Sequence, residues 1–110
     1  MRKNRSDIEA PEESMDFIHV EFKGFLRNLA KVSRKKVKVR DYIMLKDLCR
    51  LLCEELGEEF ERALLDTELQ DPRVNSLILV NGQEVSVLKG LETSIKAGDT
   101  VTFIPVSHGG

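Results

Sequence analysis

The sequence predicts an α+β fold, a sheet with one main helix packed across it, in the order ββαββ. Three observations carry that prediction. Apolar residues alternate after Asp16 and again around Val37, then recur at three- and four-residue steps between Leu45 and Leu64. Apolar runs flanking Asn81-Gly82 and a final alternating TVTFI restore the strand period. A switch from period two to 3.6 and back marks strand, helix and strand, because side chains alternate across a strand but share a helix face every third or fourth residue.

The bulk properties fit one soluble domain. The 110 residues are 41% hydrophobic and 33% charged, enough for a modest core. Seventeen Lys and Arg against nineteen Asp and Glu give a net charge of -2, so no global field draws nucleic acid or an anionic membrane. Trp is absent and aromatics are 5%, which argues against base-stacking platforms and direct nucleic-acid binding. No apolar stretch approaches the ~20 residues that cross a bilayer, so no membrane association is expected. MRKNRSDIEAPEES has basic residues but no apolar region behind them, unlike a secretory signal, and the expected compartment is the cytoplasm. A monomer is expected.

Residues 1–15 carry Arg2, Lys3 and Arg5, then Asp7, Glu9, Glu12 and Glu13, with Ile8 and Met15 as the large apolar side chains. Such a segment buries too little surface to order itself, and a disordered extension is expected. The domain is placed at 16–104. In DFIHVEF, Ile18, Val20 and Phe22 alternate with Phe17, His19 and Glu21. Gly24 breaks the run, and FLRNLAKVS is read as a connection. KKVKVRDYI follows as the second strand, with Val37 and Val39 on one side and Lys36, Lys38 and Arg40 on the other. The short separation makes the pair an antiparallel hairpin.

The helix stripe comprises Leu45, Leu48, Cys49, Leu52, Cys53, Leu56, Phe60, Ala63 and Leu64. Asp47 suits the positive end of its dipole. Gly57 either ends this helix before a second short one over 58–66 or is tolerated inside it. Glu54, Glu55, Glu58, Glu59 and Glu61 read as a solvated face. After Pro72, Asn81-Gly82 predicts a type I′ hairpin turn, which needs positive φ twice. The run Leu77–Val80 suits a strand covered on both faces or at the sheet centre. Gly90 and the Ala97-Gly98-Asp99 turn lead to the last strand. Pro105 has no N–H for a ladder, so pairing is expected to stop there and release a flexible tail, 105–110. Leu48, Leu52, Leu56, Val20, Val37, Leu79 and Phe103 are assigned to one core.

On these elements sits a resemblance. The stretch ILVNGQEVSVLKGLETSIKAGDTVTFIPVSHGG resembles the C-terminal half of the MoaD/ThiS group of ubiquitin-like β-grasp proteins. That group includes the small archaeal modifier proteins and the eukaryotic ubiquitin-related modifier. An NG hairpin, a G-L segment, a G-D turn, an F-x-P strand and a closing Gly-Gly occur there in this order. VEFKGFLRNLA is similar to the family's opening, and the likeness covers roughly residues 16–110. It implies a ubiquitin-like β-grasp with a mixed sheet, and a chemistry centred on Gly109 and Gly110.

In that chemistry an ATP-dependent activating enzyme of the MoeB/ThiF type adenylates the Gly110 carboxylate. A sulfur nucleophile then attacks, giving a thiocarboxylate, or the acyl group passes to a substrate lysine. Pro105, Val106, Ser107 and His108 would dock the tail into the partner. Glycine, lacking Cβ, threads a narrow channel and leaves the carbonyl open. The chain itself is then no enzyme, binds no cofactor, and leaves ATP and magnesium to its partner. A sulfur donor and either target lysines or a synthase large subunit complete the expected partners. The molybdopterin branch often reads P-P-x-x-G-G, whereas His108 before the glycines is closer to the eukaryotic modifier. The order of function classes is therefore modifier or sulfur carrier, then small subunit of molybdopterin synthase, then plain β-grasp interaction domain. A molybdopterin precursor, tRNA thiolation and protein lysines stay open as acceptors.

Other residues receive plainer readings. His108 serves as a polar spacer more readily than as a proton shuttle. Cys49 and Cys53, four apart on the apolar stripe, are expected in the core, poorly placed for a disulfide and without companions for a metal. The basic run Arg34, Lys35, Lys36, Lys38 and Arg40 reads as an edge strand guarded against aggregation, ahead of a docking surface. No Ser/His/Asp grouping or Walker-type glycine loop is present.

Overall fold

The computed structural model describes residues 16–66 and 68–106. The expected extension 1–15 and tail residues Ser107, His108, Gly109 and Gly110 lie outside the described residues. The elements are β1 (Phe17–Phe22), α1 (Gly24–Ala30), β2 (Arg34–Lys38), β3 (Tyr42–Met44), α2 (Leu45–Leu56), α3 (Glu58–Leu64), β4 (Ser76–Val80), β5 (Gln83–Glu84), β6 (Ser94–Lys96) and β7 (Thr100–Pro105). Five strands form one sheet in the order β2-β1-β7-β4-β5, and β3 pairs with β6 in a second, two-stranded sheet. β1 runs parallel to β7 and antiparallel to β2, while β4 is antiparallel to both β7 and β5. This mixed sheet with the first and last strands side by side is the expected β-grasp.

One face of the sheet is covered. Ile18, Val20 and Phe22 of β1, Val37 of β2, Ile78 and Val80 of β4, and Val101 and Phe103 of β7 are buried against Leu45, Leu48, Cys49, Leu52 and Cys53 of α2. Phe22 meets the Phe60 ring edge-on at 5.3 Å and stacks on Phe103 at 6.1 Å, tying α3 to the sheet centre. The predicted helix stripe is thus correct, with Leu56 and Ala63 only partly buried at its margin. Gly57 does end α2: its φ of +99° is open to glycine, and α3 starts at the next residue.

Four expectations change. FLRNLAKVS is not a plain connection but the helix α1 and its exit, with Leu26 and Ala30 buried. Two buried positions in seven residues are too short a pattern to announce a helix. The second strand divides: β2 stops at Lys38, and Tyr42–Met44 pairs with β6 instead of β1. That break lets Leu45 donate its N–H to the Thr93 carbonyl (2.9 Å) and start α2 beneath the sheet.

In β4, Leu79 does not face the core. Ser76, Ile78 and Val80 do, while Leu77 is 37% exposed on the opposite face. A one-residue change of parity moves every side chain across a strand, and an unbroken apolar run conceals the parity. β4 is nonetheless an interior strand, with β7 and β5 on either side. The predicted turn after it is present, with φ of +51° at Asn81 and +85° at Gly82. Finally, pairing does not stop before Pro105. It lies opposite Ser76 in β7, and Val106 donates its N–H to the Asn75 carbonyl (3.0 Å).

Candidate functional site: the C-terminal end of β7

The exit of β7 is built by three neighbours. Along this strand the N–H groups of Thr100 and Val106 point toward β4 and its turn, bonding Asn81 Oδ1 and the Asn75 carbonyl. By alternation the nitrogen of Pro105 points the other way, toward β1. There β1 has already ended: Lys23 makes the last bond, its N–H donating to the Phe103 carbonyl (3.0 Å). The missing donor of proline therefore falls where no acceptor strand remains among the described residues, which is why the ladder tolerates it.

Gly24 fills the space that β1 vacates. Its φ is +54°, and a Cβ there would stand 2.9 Å from Pro105 Cγ. Only glycine lets the start of α1 press against the proline ring in that backbone conformation. The sequence shows Gly24 as a strand breaker, and its role as the seat of Pro105 appears only in three dimensions. On the β4 side, Ser76 is 4% exposed opposite Pro105, and its Oγ has no hydrogen-bond partner among the described residues. Val106 is 40% exposed at the rim. Of the predicted docking residues, Pro105 thus belongs to the folded sheet, and next to it stands Val106, bonded to Asn75. Four more residues, fully extended, reach at most about 14 Å beyond it.

The chemistry open to the rest of the described chain is narrow. Cys49 and Cys53 are free thiols, both buried on α2. Burial pushes the Cys49 thiol far above its ordinary range, and it pushes Cys53 up to about 11. Both are therefore protonated near neutrality and poor sulfur nucleophiles. A cavity of about 270 Å³ lies beside them, lined by Lys46, Arg50, Glu54 and Glu61 among others, and no residue of β7 lines it. No group of three or more His, Cys, Asp or Glu among the described residues could hold a metal ion. Nor is any helix among them long and apolar enough to cross a membrane.

Comparison with known proteins agrees with this architecture. The family model described as Urm1 (Ubiquitin related modifier) matches residues 17–110. The ubiquitin-related modifier 1 homolog of Caenorhabditis elegans is 27% identical over 95 residues, spanning 84% of this chain and 95% of the relative. A putative sulfur carrier protein of Archaeoglobus fulgidus is 35% identical over 63 residues, covering 57% of this chain and 69% of its own. The solution structure of Urm1 from Trypanosoma brucei superposes with a TM-score of 0.73 at 32% identity, covering 86% of this chain and 96% of that one. With a mixed β-grasp sheet and a family match running through both terminal glycines, the chain belongs to the ubiquitin-related modifier family, whose members are ubiquitin-like modifiers and sulfur carriers.

Proposed function

We propose that the Gly110 carboxylate is the group this carrier has activated, and that the fold exists to present it. The observation that carries the reading is that the family match extends through Gly109 and Gly110. The bond from Val106 to Asn75 supports it, because it holds the chain four positions before Gly110. Burial of the two free thiols fits it too, since it raises their pKa and leaves neither a ready sulfur nucleophile.

A carboxylate resists nucleophiles until its oxygen becomes part of a good leaving group. An activating enzyme of the MoeB/ThiF type would bind ATP and magnesium, join the carboxylate oxygen to the α-phosphorus and release pyrophosphate. Hydrosulfide adding to the carbonyl carbon as AMP departs gives a thiocarboxylate directly. A persulfide gives an acyl disulfide, from which a second thiol, forming a disulfide itself, releases the thiocarboxylate. A lysine amine attacking the activated carbonyl gives an amide instead. Pro105 and Val106 set the direction of the approach, and Ser107 and His108 are the spacer between the sheet and the glycines.

Intact mass after incubation with the cognate activating enzyme, ATP and a sulfur donor is the test. Exchange of one oxygen for sulfur, localised to the terminal peptide, is expected. Adducts on lysines of added proteins would assign the modifier branch. An unchanged mass in the presence of demonstrably active enzyme overturns the proposal.

A further inference from the structure

The edge strand β2 is more than a guarded edge. Residues 23–40 carry eight Lys or Arg and no Asp or Glu, although the whole chain has a net charge of -2. β2 is the outermost strand of the sheet. Ser33 accepts from Phe22 N–H (2.9 Å) and Val39 donates to the Asp16 carbonyl (3.1 Å), so residues 33, 35, 37 and 39 turn their polar backbone toward β1. By the alternation of an antiparallel ladder, the N–H and C=O of Arg34, Lys36 and Lys38 point outward. These three also set their side chains on the open face, opposite Glu21, His19 and Phe17.

The cations there are incompletely matched. Arg34 is held by Glu21 (2.6 Å), and Lys36 sits over the Phe17 ring at 5.0 Å. Lys36, Lys38 and Arg40 have no ion pair among the described residues. Among the described residues, unpaired donors and acceptors thus alternate with positive charge along one line.

We propose that this edge receives an extended acidic segment of a partner protein, added as a further strand beside β2. Its backbone would pair with Arg34, Lys36 and Lys38, and Asp or Glu at alternate positions would face Lys36 and Lys38. Charge alone would suit a nucleic acid, and its phosphates can accept from the outward N–H groups, but they leave the outward C=O groups without a donor. A second copy of β2 would set lysine against lysine. An acidic strand satisfies backbone and charge together. The proposal is independent of the chemistry at Gly110.

The test uses the full chain, labelled with nitrogen-15, and a short acetylated peptide of alternating Glu and Val. Binding is expected to slow exchange of the Lys36 and Lys38 amides about tenfold or more, leaving the already paired Lys35 and Val37 amides unchanged. Lys36→Glu with Lys38→Glu should weaken binding about tenfold while the amide spectrum stays folded, and a Lys/Val peptide should not bind. In the unaltered chain, added salt should weaken the Glu/Val peptide as well. The proposal fails if the peptide gives no protection at those two amides. It fails equally if an RNA oligonucleotide binds as tightly with their exchange unaltered. Protection already present without peptide overturns it too, assigning the edge to the chain's own acidic residues 7–13, or to a second copy if protection grows with concentration.

Discussion

The two ends of β7 are held in different ways. At Thr100 the strand is clasped from both sides. Its carbonyl accepts from Asn81 N–H (2.8 Å), its N–H donates to Asn81 Oδ1 (2.9 Å), and Asn81 Nδ2 donates in turn to Asp99 Oδ1 (2.9 Å). The other Asp99 oxygen accepts from Lys96 N–H, while His19 of β1 donates to the Asp99 carbonyl. At Pro105 β1 is gone, a glycine stands in its place, and one bond from Val106 to Asn75 closes the ladder. The side-chain clasp at Thr100 has no counterpart at Pro105 among the described residues.

The largest loss is expected from truncation in the middle of β7. Phe103→Ala should destabilise by about 3–5 kcal/mol, since the ring is fully buried and stacked against Phe22. Leu52→Ala, across the core, should lose about 2–5 kcal/mol. Denaturant titration measures both, and a loss under about 0.5 kcal/mol, typical of surface changes, would refute the core assignment. Gly24→Ala comes next, at about 1–3 kcal/mol, because it combines a left-handed φ with a contact on the Pro105 ring. A neutral result in thermal unfolding would mean that the proline seat yields freely.

Asn81→Ala tests the clasp itself. Losing two side-chain hydrogen bonds at an exposed turn should lower stability by about 1–2 kcal/mol. The smallest effect is reserved for the tail. Deleting Gly109 and Gly110 should alter stability by less than about 0.5 kcal/mol, yet abolish pyrophosphate exchange by the activating enzyme. Gly110→Ala keeps the carboxylate and adds a methyl, and should retain docking with slower acyl transfer. Activation of the truncated chain at the parent's rate would remove the glycines from the mechanism.

Much of this molecule is decided by local pattern. The α2 stripe from Leu45 to Cys53, the alternation of Ile18, Val20 and Phe22, and the turn at Asn81-Gly82 are dictated by residue type and spacing. Periodicity and positive φ are properties of a chain segment and its immediate neighbours. The family likeness, and with it the interest of Gly110, was legible for the same reason: it rests on the order of short local signals. What local pattern could not supply was whatever depends on a distant neighbour. The parity of Leu77–Val80 was hidden because an all-apolar run fits either face, and only burial in the common core selected Ile78 and Val80. The pairing of β3 with β6 depended on a segment some fifty residues away. The tolerance of Pro105 depended on where β1 ends, since a missing donor matters only on the side where an acceptor waits. Even the eight cations of residues 23–40 were visible as composition. That three of them carry outward-facing backbone follows only from β2 lying at the sheet's edge.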